Sequence, residues 1–186
     1  MSRRIMIFDK HKTIFIHIPR NAGCSVCHEL GEESNHASDF ETIAEIREKN
    51  PKAVLSYYKW TIVRNPWDRE LSLYRYALDN NIVKDVNFEE YLGKIKKQSI
   101  DNKILERNQV DYFTKNNYIE LDQIVRLEYI SGAWKKVCEQ LNIEATELEH
   151  INKSENTKNH YNQKCIDLVA EIRKKDIEFL NYDCPY

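Results

Sequence analysis

The first apolar run of the chain, Ile14 to Ile18, is short and almost unbroken, the pattern of a buried strand, and it stops at Pro19. A small polar loop carrying Gly23 follows. From Cys24 to Leu30 the spacing fits a short helix, with Gly31 in the left-handed cap position, and Glu32 to His36 is polar enough to be loop. Ser38 or Asp39 is placed to cap a helix through Ile43, Ile46 and Arg47 to about Lys49, which Asn50-Pro51 ends. Tyr57 to Val63 is rich in aromatic and β-branched residues and predicts a core strand that delivers Arg64 at its end. Asn65 as N-cap and Pro66 at the first helical position predict a helix from Trp67 to about Leu78.

Beyond it, residues 80–123 are expected to be largely helical, with Phe88, Tyr91, Leu92 and Ile95 forming a core stripe. A further apolar strand ends at or near Arg126. Helices are expected from about Ser131 to Leu141 and from Gln163 to Phe179, packing through Trp134 and Val137 in the first and Ile166, Val169, Ile172 and Ile177 in the second. Strands alternating with helices predict an α/β fold, a short parallel sheet flanked by helices. At 186 residues the chain suits one domain over 1–186.

Composition adds little to this frame except by exclusion. An apolar fraction of 41% is too high for a disordered chain, and a net charge of −2 does not suggest a protein that coats nucleic acid through its overall field. Any anion site must therefore be local. The five cysteines, Cys24, Cys27, Cys138, Cys165 and Cys184, lack paired metal spacing; Cys24-Ser25-Val26-Cys27 has the C-x-x-C form, so redox chemistry is a minor alternative to reduced structural thiols. The N-terminal stretch is neither a signal peptide nor a membrane span, and a cytoplasmic location is expected by default.

The candidate chemistry lies where strands hand over to helices. Arg20-Asn21-Ala22-Gly23-Cys24-Ser25 follows the first strand, and backbone N–H groups of such a loop suit phosphate or sulfate, with Arg20 adding charge and Ser25 a hydroxyl. It is not the nucleotide-kinase pattern G-x-x-x-x-G-K-[ST], having one glycine and no Lys before Ser25. Taken alone it is also compatible with a plain turn. The design recurs at Tyr57 to Leu78, where Arg64 stands at a strand end and Ser72, about two helical turns on, returns to the side of the helix start.

With both segments in view, the sequence resembles the sulfotransferases that use 3′-phosphoadenosine 5′-phosphosulfate (PAPS), in particular Golgi carbohydrate sulfotransferases and their bacterial relatives. Ile16 to Ser25 is similar to their 5′-phosphosulfate loop, and Thr61 to Tyr74 to their 3′-phosphate strand and helix. Asn108 to Phe113, Val125 to Ile130, His150 to Ser154 and Asp176 to Tyr182 resemble further family segments in order. The resemblance implies a P-loop-NTPase-like α/β domain that moves a sulfuryl group from PAPS to a hydroxyl of a carbohydrate or glycoconjugate. It implies that Arg20, Asn21, Ala22, Gly23, Cys24 and Ser25 hold the 5′-phosphosulfate, that Arg64 and Ser72 hold the 3′-phosphate, and that Arg126 and Ser154 lie near the donor. His36, in the segment after the loop helix, is the candidate general base, with Glu32, Glu33 or Asp39 as replacements. No metal is expected, because Arg and backbone donors supply the charge stabilisation. Neither the acceptor hydroxyl nor the oligomeric state is carried by a motif.

Two positions depart from the family pattern: Arg20 stands where Lys is usual and Cys24 where Thr is usual. Arg keeps the charge but spreads it over a planar fork. Bland readings stand beside the sharp ones: a turn arginine for Arg20, a solvated loop histidine for His36, an ion pair with Glu128 for Arg126, and a solvated helix face for Lys94, Lys96, Lys97 and Lys103. A P-loop-like phosphotransferase and a non-catalytic nucleotide or glycan binder are the alternatives in function.

Overall fold

The computed structural model describes residues 7–31, 40–115, 118–145, 148 and 160–186. It divides the chain into two compact units, each assembled from two separate stretches: Met1–Val63 with Asp111–Asn152, and Arg64–Val110 with Lys153–Tyr186.

The first unit is built on a four-stranded sheet. Its strands are β1 (Ile7–Phe8), β2 (Thr13–Ile16), β3 (Tyr58–Val63) and β6 (Gln123–Arg126), in the order β1-β2-β3-β6. β2, β3 and β6 run parallel and β1 is an antiparallel edge. The helices of this unit are α1 (Gly23–Glu29), α2 (Ile43–Lys49), α3 (Pro51–Ser56) and α7 (Ile130–Leu141), and β4 (Thr114–Lys115) pairs with β5 (Tyr118–Ile119) as a small hairpin. This is the α/β arrangement with a short parallel sheet and flanking helices.

Register explains the core. Phe15 lies opposite Trp60 and Ile62 opposite Val125, so one face of the sheet presents Phe15, Trp60, Ile62 and Val125 together. Val26, Cys27 and Leu30 from the α1 segment and Trp134, Val137 and Cys138 of α7 bury themselves with that face. The Phe15 and Trp60 rings are 4.7 Å apart and the Trp60 and Trp134 rings 6.1 Å. Thr61 on the opposite face donates its hydroxyl to the Ile16 carbonyl at 2.7 Å, so even the polar position between strands is satisfied.

The second unit is helical: α4 (Pro66–Asp79), α5 (Phe88–Lys96), α6 (Lys103–Glu106), α8 (Gln163–Ile172) and α9 (Lys174–Leu180). Trp67, Leu71, Tyr74, Phe88, Tyr91 and Leu92 meet Cys165 and Val169 in its core. Asn65 caps α4 through its Oδ1, which accepts from the Trp67 N–H at 3.1 Å, with Pro66 at the first helical position as the sequence predicts.

The structure departs from expectation in five places. In residues 80–123, expected to be largely helical, only Phe88–Lys96 and Lys103–Glu106 form α-helix among the described residues, and Thr114–Lys115 pairs with Tyr118–Ile119 as a β-hairpin. β2 ends at Ile16, two residues before the apolar run does. The cap of α2 is Thr42, not Ser38 or Asp39, because Thr42 and Glu45 form a reciprocal capping box; Ser38 and Asp39 lie outside the described residues. Pro51 opens a second helix, α3, rather than a plain linker, since proline suits the first helical turn. The expected helix from Gln163 to Phe179 is two helices that part at Arg173, which adopts φ −107° and ψ 20°.

Candidate anion-binding site

In the first unit the parallel strands set the stage. Asn21, 1% exposed, donates its Nδ2 to the Ile62 carbonyl at 2.8 Å, and Arg126, the last residue of β6, lies opposite Val63, the last of β3. The loop after β2 and the end of β6 thus both attach to the final two residues of β3. This is the carboxyl edge of parallel strands, the edge at which α/β sheets receive ligands.

The loop itself is unusual in its backbone. Arg20 has φ 70° and Ala22 has φ 60°, both in the left-handed region, while Asn21 between them is not. A non-glycine residue there costs about 1–2 kcal/mol. Left-handed residues in a loop at this edge are one element of the backbone concavities that bind anions. The Asn21 tether to β3 offers one reason the conformation holds.

Gly23 is required by space rather than by its dihedral angles. A Cβ at this position would lie 2.0 Å from Cδ2 and Nε2 of His17. The half-buried His17 ring is held against Phe15, centroids 6.0 Å apart, and edge-on to Phe40 at 5.0 Å. His17 therefore packs against Gly23 at the start of α1.

Arg20 is half-buried and Ser25 buried. Burial pushes the Cys24 thiol up, against the pull of the Arg20 charge, so the thiol is protonated at neutral pH and Cys24 offers no thiolate. All five cysteines are free.

In the second unit Arg64 is half-buried and its backbone is pinned on both sides. Its N–H donates to Gln109 Oε1 at 2.9 Å and its carbonyl accepts from Gln109 Nε2 at 2.8 Å. Gln109 is in turn held by Asp176, whose Oδ2 accepts from the Gln109 N–H at 2.9 Å and whose Oδ1 accepts from the Val110 N–H at 3.0 Å. Burial pushes the Asp176 carboxyl up, opposed by Arg69, by those two N–H groups and by Arg173.

Ser72 is buried in α4, two residues from Glu70. Glu70 Oε2 accepts from Arg173 Nε at 2.5 Å and Oε1 from the Tyr91 hydroxyl at 3.0 Å. Arg173 also reaches the carbonyls of Leu105 and Glu106, the latter at 2.9 Å. Burial works against the Arg173 charge, but Glu70, Tyr91 and Asp176 together more than offset it and the guanidinium stays protonated.

The sequence-based candidates fall as follows. Arg20, Asn21 and Ala22 lie in the loop after β2, Gly23, Cys24 and Ser25 open α1, and Arg126 is on the same sheet of the first unit; Arg64 and Ser72 belong to the second. His36 and Ser154 lie outside the described residues, as do Glu32, Glu33 and Asp39. Lys96 pairs with Glu171 at 2.6 Å, and Lys94, Lys97 and Lys103 are exposed. His17, Gln109, Glu70, Arg173 and Asp176 were not among the site candidates. Gln109 and Asp176 sit inside segments that the family resemblance already singled out, and the other two charges interrupt apolar helical stripes.

Among the described residues no group of three or more His, Cys, Asp or Glu side chains could hold a metal ion, and no helix is long and apolar enough to cross a membrane.

The fold and site together define an α/β chain with a tethered loop, carrying two left-handed residues, at the carboxyl edge of its parallel strands. No family model matches the chain. No curated protein matches it either. Among solved structures it is similar to a sulfotransferase from Alicyclobacillus acidocaldarius, with 12% identity and a TM-score of 0.45 over 76% of this chain and 60% of that one. So loose a likeness carries no weight for activity or substrate.

Proposed function

We propose that this chain is a sulfotransferase that moves a sulfuryl group from PAPS to a hydroxyl of a carbohydrate or glycoconjugate, acting as one domain in the cytoplasm. The observation that carries the reading is the loop after β2, where Arg20 and Ala22 both take up the left-handed conformation and Asn21 anchors to β3. Strain of about 1–3 kcal/mol at each such residue is typical of sites where a ligand makes use of the conformation. The segment resemblance then selects phosphosulfate from among anions.

In this reading the Arg20 to Ser25 loop receives the 5′-phosphosulfate, Arg64 and Ser72 bind the 3′-phosphate, and Arg126 and Ser154 lie along the nucleotide. The acceptor oxygen forms a bond to sulfur as the bond from sulfur to the 5′-phosphate oxygen breaks. His36 takes the hydroxyl proton, and 3′-phosphoadenosine 5′-phosphate leaves. Charge grows on the departing phosphate, and Arg20 with the loop N–H groups is the chain's means of stabilising it. The chemistry needs position and charge, which an arginine and fixed amides supply without a metal.

Ligand protection tests the donor. At 100 times its Kd, 3′-phosphoadenosine 5′-phosphate is expected to stabilise the protein by about 2.7 kcal/mol, raising Tm by several degrees, while ATP at the same concentration does less. Stabilisation by ATP alone would overturn the reading in favour of a phosphotransferase. For the base, His36→Ala is expected to retain donor binding and lose most turnover; unchanged turnover clears His36 of the role.

A further inference from the structure

Arg64 owes its backbone setting to residues far away in sequence. The Gln109 amide pairs with both the N–H and the carbonyl of Arg64, at 2.9 and 2.8 Å, as a neighbouring strand would. Gln109 is 0% exposed, so its amide is shielded from water. The segment that carries Gln109 is strapped at both ends from the junction of α8 and α9. Arg173 takes the carbonyls of Leu105 and Glu106, and Asp176 takes the N–H groups of Gln109 and Val110. Arg173 also closes on Glu70 of α4, the helix that carries Ser72. One buried network therefore braces the two residues assigned to the 3′-phosphate.

We propose that Gln109, backed by Asp176, is a positioning residue that sets Arg64 for a terminal phosphate and so determines selectivity for nucleotides carrying a 3′-phosphate. This rests on the reading of Arg64 as a 3′-phosphate ligand. A side-chain amide that donates and accepts on one residue fixes that residue's φ and ψ, and with them the direction in which its side chain leaves the backbone. Removing the amide leaves Arg64 in place chemically but lets its backbone wander. Binding of the part of the nucleotide that Arg64 does not meet is unaffected.

The test compares binding of 3′-phosphoadenosine 5′-phosphate with that of adenosine 5′-phosphate, which lacks only the 3′-phosphate. In the parent protein the first binds tighter. In Gln109→Met, and in Asp176→Asn as a second variant, the ratio of the two affinities falls about tenfold, while affinity for adenosine 5′-phosphate stays within about twofold. Because Gln109 acts through Arg64, the Gln109→Met/Arg64→Ala double variant loses no more selectivity than Arg64→Ala alone. Amide hydrogen exchange on the unliganded parent adds a reading that needs no variant: the Arg64 N–H is protected. Undiminished selectivity in the variants, additive losses in the double variant, or an Arg64 N–H that exchanges freely overturns the proposal while leaving the sulfotransferase reading intact. A parent protein that binds both nucleotides equally overturns the 3′-phosphate assignment itself, and the positioning role with it.

Discussion

At the scale of single residues, Gly23 and His17 form a matched pair. The imidazole occupies the space that any Cβ at position 23 would need, 2.0 Å away, and its stacking on Phe15 and edge contact with Phe40 restrain it from moving aside. Gly23→Ala is expected to destabilise the protein by about 1–3 kcal/mol, the usual scale of overpacking. Gly23→Ala/His17→Ala is expected to cost less than the two single changes added together, since removing the ring empties the contested space. Urea denaturation midpoints of the four proteins measure the coupling; strictly additive losses would show that the contact does not matter. The glycine was visible in the sequence as a loop marker, but its reason was not, because nothing in the spacing of His17 and Gly23 says that one ring lies over the other. The left-handed Arg20 and Ala22 were equally hidden, since neither residue type announces that conformation.

At the scale of elements, the α4 and α8–α9 segments carry charges where their apolar stripes call for hydrophobic residues. Glu70 falls between Trp67, Leu71 and Tyr74, and Arg173 and Asp176 continue the buried series Cys165, Val169 toward Leu180. Breaking a buried pair leaves one charge stranded, so Glu70→Gln or Arg173→Met alone is expected to cost about 3–5 kcal/mol. Glu70→Gln/Arg173→Met is expected to cost less than the two single changes added together. Denaturant unfolding decides it: a double variant as unstable as the sum of the singles would deny the pair its mutual dependence. These charges could have been noticed from the helical period, and reading them as partners was the missing step. By contrast β3 and α4 were legible almost to the residue, because aromatic and β-branched content, an Asn cap and an N1 proline all agree there. The hairpin β4–β5 was not, having strands of two residues each, too short to show any period. Nor was the parting of α8 from α9, which coincides with Arg173 reaching for Glu70 and for two carbonyls.

At the scale of the whole chain, the sequence passes between units after Val63, Val110 and Asn152, so neither unit is a continuous half of the protein. Each core draws on both of its stretches: Phe15 and Trp60 meet Trp134 in one, Trp67 and Tyr91 meet Val169 in the other. The alternation of strand and helix announced the parallel sheet, whereas the interleaving arises from long-range pairing that local pattern does not encode. The proposed activity is transfer of a sulfuryl group from PAPS to an acceptor hydroxyl. The direct measurement is incubation with PAPS carrying radiolabelled sulfate and a panel of glycans. Label on an acceptor together with an equal yield of 3′-phosphoadenosine 5′-phosphate is expected. Donor that binds, while no acceptor is labelled and no 3′-phosphoadenosine 5′-phosphate appears, would contradict it and leave a protein that only binds the nucleotide.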